Sequence, residues 1–157
     1  MSDDVRLRFR NSVEFARTFS PEGLLRYLDM SGPKDYGEMF YDGMIVGLNF
    51  SKYEKVNTFD GPWGDLTLRI INQLYDRGVE LLFIGARDIT YDGYSIFSSS
   101  FIDWIEFLPG DGCILCNIHF LGNDKKIKFN FLKVEFNEHR FGERVGNDDF
   151  LKKIDKP

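Results

Sequence analysis

Few side chains in this 157-residue chain are equipped for chemistry. There are two histidines, His119 and His139, and two cysteines, Cys113 and Cys116, which form one C-x-x-C. That motif invites redox or zinc chemistry. Zinc needs a second ligand pair, and the two histidines stand in no finger-like spacing. A thioredoxin-type pair sits in a turn opening a helix, whereas Ile114, Cys116, Ile118 and Phe120 alternate as in a strand. Residues three apart in a strand face opposite ways with Cα atoms about 10 Å apart, beyond disulfide reach. The cysteines therefore read as structural, with Cys116 buried and Cys113 near the strand start.

Acid–base catalysis needs carboxylates close together, and the nearest pairs are Asp88 with Asp92 and Asp103 with Glu106. Neither pair carries a signature. A hydrolase would need one of them to meet His119 or His139. His119 lies on the strand face opposite Cys116, Ile118 and Phe120, and His139 lies in the polar stretch Asn137-Glu-His-Arg140. No P-loop, dinucleotide fingerprint, nucleophile elbow, zincin helix or EF-hand loop is present. The sequence thus offers no catalytic set and calls for no cofactor or metal.

Arg6, Arg8 and Arg10, together with Lys126 and Lys128, could touch phosphate. A net charge of −5 and the lack of any nucleic-acid-binding motif argue against a nucleic-acid partner. These cations read instead as solvent-face charges that guard strands against edge pairing. The charge distribution is less even than the total suggests. Between Arg87 and Lys125 there is no lysine or arginine, while Asp88, Asp92, Asp103, Glu106, Asp111 and Asp124 all fall in that window. Tyr91, Tyr94 and Trp104 lie among them. Acids interleaved with Tyr and Trp suit a basic protein partner, because complementary charge speeds encounter and the rings supply contact area. The candidate partner-binding residues are Asp88, Tyr91, Asp92, Tyr94, Asp103, Trp104, Glu106 and Asp111.

The elements that must position these residues follow from periodicity. The length suits one domain spanning residues 1–157, large enough to bury a core without disulfides. Sixteen phenylalanines favour a bulky β core. Val5 to Arg10 alternates and predicts a first strand, with a short helix from Ser12 to Phe19. Ser20-Pro21-Glu22 predicts an N-cap serine opening a helix that carries Leu24, Leu25 and Leu28 and stops near Ser31-Gly32-Pro33. A loop from 33 to 43 includes a short strand at Met39–Tyr41, and Met44 to Phe50 forms the next strand.

A second helix opens at Pro62 or Asp65, carries Leu66, Ile70 and Leu74, and ends at Gly78 in the left-handed position. Val79 to Ile84, apolar on both faces, is a central strand. A turn is expected at Asp92-Gly93, and a polar strand or loop from Ser95 to Ser100. Phe101 to Leu108 reads as a strand, although Phe101, Ile105 and Leu108 also fit a helix face. The clearest signal is a hairpin from Cys113 to Phe136 around Gly122-Asn123-Asp124-Lys125. Its second arm changes apolar phase between Phe131 and Leu132, the mark of a β-bulge. Together these elements give an α+β domain: a mostly antiparallel, bent sheet with one or two helices packed on one face.

This small acidic chain, with its Ile127-Lys-Phe129 and Val134-Glu-Phe136 hairpin style, resembles the immunity proteins encoded beside bacterial polymorphic or contact-dependent toxins. No residue roles transfer, since no diagnostic motif is shared. The resemblance implies a protein that plugs a basic toxin surface and catalyses nothing. The start of the chain lacks a secretory pattern, and its longest apolar run, Leu81 to Ala86, cannot span a bilayer. A cytoplasmic protein with no membrane partner is therefore expected, and its oligomeric state stays open. A small-molecule-binding β domain with a Phe-lined pocket is the alternative reading.

Overall fold

The computed structural model describes residues 2–29, 38–53, 63–91, 101–122 and 125–141. Among them the chain forms helices α1 (Asp3–Ala16) and α2 (Glu22–Leu28). Seven strands follow: β1 (Met44–Lys52), β2 (Gly64–Ile71), β3 (Arg77–Tyr91), β4 (Ile102–Pro109), β5 (Ile114–Phe120), β6 (Lys126–Phe131) and β7 (Lys133–Arg140). The strand order is β1-β2-β3-β6-β5-β4, with β7 also paired to β3, and every one of these pairings is antiparallel. A single bridge, Met44 with Phe101, links the start of β1 to the approach of β4. The fold is the expected α+β domain with an open antiparallel sheet. No helix among the described residues is long and apolar enough to cross a membrane.

The first expected strand, Val5 to Arg10, is helical. Ser2 caps α1 by accepting a hydrogen bond from the Val5 N–H at 3.2 Å, and Asp3 and Asp4 occupy the positive first turn. Val5, Phe9, Ser12, Val13 and Ala16 recur at helical spacing and form the inward face. The Val-Arg-Leu-Arg-Phe-Arg alternation that mimics a strand leaves Leu7 on the solvent side, 58 % exposed. The helix expected from Ser12 to Phe19 is therefore the second half of α1 and ends at Ala16. In α2 the N-cap is Pro21, not Ser20, and no side chain caps it. Met39–Tyr41 forms no strand.

The second expected helix is likewise overturned. Leu66, Leu68 and Ile70 are buried on one face of β2, with Asp65, Thr67 and Arg69 half-buried between them. That period of two competes with the four-residue spacing of Leu66, Ile70 and Leu74, and the hairpin partner decides between them. Asn72 is buried in the β2–β3 turn, where its Oδ1 accepts from the Asp76 and Arg77 N–H groups. Tyr75 adopts φ 59° there, and Gly78 pairs with Ile71 inside β3 instead of ending a helix. Arg69 and Glu80, cross-strand neighbours, form an ion pair at 3.1 Å. The expectations for Asp92-Gly93 and Ser95–Ser100 fall outside the described residues.

β3 is longer than its apolar run suggested, and it changes partner along one edge. Arg77–Ile84 pairs with β7, and Arg87–Tyr91 pairs with β6. The two partners are one arm of the long hairpin, bent at Leu132, whose N–H still reaches the Ile84 carbonyl at 3.0 Å. The phase slip at Phe131-Leu132 marks the break between β6 and β7 and not the expected bulge, because the register against β3 runs through it unshifted, from Ile84 with Lys133 to Arg87 with Asn130. β3 breaks phase at the same point, with Gly85 at φ 69°, and its own register shift falls between Arg87 and Thr90, where Asp88 has φ 54°. Inside the bend, Phe83 packs edge-on against Phe129 and Phe131 at 4.7 and 4.9 Å, and Phe107 and Phe19 close on Phe131.

A Cβ on Gly85 would lie 2.7 Å from Leu132 Cδ1 and would carry a left-handed backbone angle. Gly85→Ala is therefore expected to cost about 1–3 kcal/mol in urea denaturation. In a Leu132→Ala background the two closest contacts disappear and only the one with Leu132 Cβ at 3.2 Å is left, so the cost should fall. A cost unchanged in that background would show that backbone strain alone is responsible.

Candidate functional site

Glu106 lies on β4 with no exposed side-chain surface. A carboxylate out of water must be paired and hydrogen-bonded, and four donors converge on this one. From α1, Arg8 donates through Nε to Oε2 at 3.0 Å and through Nη2 to Oε1 at 2.8 Å. From β5, Asn117 Nδ2 donates to Oε1 at 3.1 Å, and His119 Nε2 lies 3.0 Å from the same oxygen. Beside an ionised carboxylate the imidazole donates from Nε2. Burial by itself would raise the Glu106 pKa, but the hydrogen bonds from His119, Arg8 and Asn117 outweigh it and hold it at about 2.

β pairing aligns these groups. Glu106 stands opposite Asn117 and Trp104 opposite His119, and the indole and imidazole stack at 4.7 Å with planes 12° apart. Arg8 rests 5.7 Å above the Trp104 ring, and Phe9 meets that ring edge-on. Ser12, one turn beyond Arg8 and buried, accepts from the Phe107 N–H at 2.8 Å and so closes the outer edge of β4. α1 thereby docks on β4 through one ion pair, one edge bond and one aromatic contact.

The cross-strand rows continue onto β6. His119 faces Lys126, and Asn117 faces Lys128, which faces Thr90 of β3. Two clefts lie over this face. One, of about 310 Å³, is lined by Arg8, Asp103, Trp104, His119 and Lys126 among others. The other, of about 440 Å³, is lined by Asp88, Thr90, Leu115, Asn117, Lys128 and Asn130 among others.

A second polar cluster ties α2 to β7. The Tyr27 hydroxyl donates to Glu138 at 2.6 Å, while Arg140 binds both Glu138 and, at 2.9 Å, Glu38. Burial, followed by the Glu138 carboxylate, pushes the tyrosine well above its ordinary range. Arg87 stacks over Trp63 at 4.3 Å.

The eight candidate residues separate. Glu106 and Trp104 are buried beneath Arg8, and Asp103 lines the first cleft. Asp88 is exposed and accepts from Asn130, Tyr91 is 61 % exposed at the end of β3, and Asp111 is exposed in the β4–β5 turn. Asp92 and Tyr94 fall outside the described residues. His119 meets one carboxylate, which is already saturated, and His139 contacts Asn137. Cys113 and Cys116 are free thiols, and burial raises that of Cys116. The reading of Arg6, Arg8, Arg10, Lys126 and Lys128 as guards of strand edges is overturned, since the arginines lie on α1 and β6 is an internal strand; the role of Arg8 at Glu106, and Ser12 and Asn117 altogether, were missed. The available signal was the i, i+4 spacing of Arg8 and Ser12, visible only once the segment is read as a helix. No protein-family model, curated protein or solved structure matches the chain.

Because the Glu106 pKa is depressed from 4.5 to about 2, its stabilising contribution is complete above the unfolded value and fades as pH falls towards 2. Glu106→Gln should be destabilised by about 3 kcal/mol near pH 7, since the amide presents donors to donors. The gap to the native chain should then shrink by about 3 kcal/mol between pH 5 and pH 2. Urea titrations of both proteins across that range check this, and a constant gap would refute it.

Proposed function

We propose that this chain is a binding protein that catalyses no reaction, and that it acts as an immunity protein covering a basic surface of a toxin domain. The observation that carries the reading is Tyr91, 61 % exposed beside exposed Asp88 at the end of the longest strand. A large, exposed amphipathic ring close in sequence to an exposed carboxylate is the kind of anchor that dominates protein interfaces. The chain continues from it directly into Asp92 and Tyr94. Asp103 and Asp111 add carboxylates elsewhere on the surface of β4 and its turn, whereas Glu106 and Trp104 support the face from beneath.

The titratable cluster supports a non-catalytic role. Glu106 has spent its lone pairs on Arg8, Asn117 and His119, and a carboxylate held near pKa 2 is a poor proton acceptor at neutral pH. The phenylalanines support scaffold over pocket, because Phe83, Phe107, Phe129 and Phe131 pack on one another.

Affinity capture from the native cell at low salt should recover a stoichiometric basic protein whose toxicity this chain suppresses. Replacing Asp88, Asp92 and Asp103 together by lysine should slow association with it at least tenfold and flatten its salt dependence. Recovery of no such partner would remove the reading. Unchanged association kinetics would remove the face.

A further inference from the structure

The two clefts over β4, β5 and β6 share a charge pattern that the whole chain does not. Lys126 lines the first and Lys128 the second, and the two lysines lie on one face of β6, two residues apart. Among the described residues no carboxylate lies within 4.0 Å of either ammonium group. Arg8, whose side chain is 44 % exposed, turns Nε and Nη2 to Glu106, and its remaining Nη1 has no partner among the described residues. The Arg8–Glu106 pair is self-neutralising, which leaves the lysines facing Asp103 in the first cleft and Asp88 in the second. Asp88 is already engaged by Asn130 at 3.1 Å and lies 3.8 Å from Arg87. Two lysines without an ion pair among the described residues, with the exposed edge of Arg8 beside the first, thus form a row across one face of a protein with net charge −5.

We propose that this row is a binding groove for an extended acidic segment of a protein, with one carboxylate seated in each cleft. The spacing argues for a peptide in the extended state. Alternate residues of a strand repeat at about 6.8 Å, so Lys126 and Lys128 are set at the separation of alternate side chains on a β-like ligand. Asn117 and His119 repeat the same interval on β5 and form the floor between the lysines and β4. Arg8, oriented by its bidentate bond to Glu106, adds a fixed donor edge at the first cleft. Asp103 disfavours a ligand of uniform high charge density such as a nucleic acid, and it can accept a backbone N–H from a peptide.

The inference rests on the reading of this chain as a protein-binding protein. It adds an acceptor for acidic side chains beside the Asp88–Tyr91 edge, and interleaved signs of charge fix the register of an interface.

The full chain, labelled with ¹⁵N, is titrated with an acetylated, amidated Glu-Thr-Glu-Thr-Glu peptide, with its Lys-for-Glu counterpart, and with a single-stranded oligonucleotide. The acidic peptide should saturate and shift the Trp104 indole N–H and the amides of Lys126 and Lys128. Its affinity should drop at least threefold between 50 and 200 mM salt. Lys126→Glu with Lys128→Glu should weaken it at least tenfold, while the paired Arg variants keep it; amide spectra of each variant confirm folding. Lack of saturation, shifts centred elsewhere, equal binding of the lysine peptide, or tighter binding of the oligonucleotide would each overturn the groove. A captured basic partner with no acidic-peptide binding would end this inference and leave the proposed function standing. Peptide binding without any partner would do the reverse.

Discussion

A carboxylate with no exposed surface demands as many hydrogen bonds as water would have supplied, and meeting that demand at Glu106 organises one half of this molecule. Two donors must come from outside the sheet, and Arg8 brings α1 with it. Once the helix is set at that height, Ser12 reaches the Phe107 N–H and Phe9 reaches Trp104. The other two donors come from β5 and hold Asn117 and His119 on the same face as Glu106. An apolar residue at position 106 would remove the demand and with it the reason for this docking geometry. The pair is better understood as specifying where α1 sits than as adding large net stability, because desolvation offsets much of its attraction.

The bend in β3 complements that constraint. A flat sheet would run β6 and β7 as one uninterrupted strand along β3. The break at Leu132, the left-handed angles of Gly85 and Asp88 and the register shift between Arg87 and Thr90 instead turn β6 towards β5 while β7 stays over α2. Two polar clusters result, Glu106 with Arg8 on one side and Glu138 with Tyr27 on the other, each fastening one helix. The same bend carries Asp88 into the cleft that Lys128 lines and leaves Tyr91 exposed at the end of β3.

The hairpin arms, the central strand, the break at Phe131-Leu132 and the α+β class were legible because each rests on local chemistry: alternation and a one-residue phase change. Two segments misled for a physical reason that applies to both. Val5–Arg10 and Leu66–Leu74 carry apolar residues compatible with periods of two and of nearly four, and only a partner surface breaks the tie. For the first, the tie is broken by the Ser2 cap and by Ser12 and Ala16 packing at helical spacing. For the second it is broken by Asn72, which folds the chain into a tight turn with its side-chain oxygen. The cluster at Glu106 was hidden because Arg8 and Glu106 are 98 residues apart. Such a pair has no sequence signature.

The same distance explains why the cation-free window means something different in the folded chain. In sequence, residues 88–124 carry six acids and no base. Antiparallel pairing lays β6 between β3 and β5, and helix docking lays α1 against β4, so Lys126, Lys128 and Arg8 are inserted among those acids. Glu106 is consumed by Arg8, and Asp88 faces Asn130 and Arg87. The window therefore does not become one acidic plate. It becomes a face on which Asp103 shares a cleft with Lys126 and Asp88 shares one with Lys128. Such a surface gives up some long-range attraction and gains selectivity, since a partner of uniform charge meets repulsion somewhere along it. A protein partner of the kind proposed would therefore have to match a pattern of signs, which net charge alone does not supply.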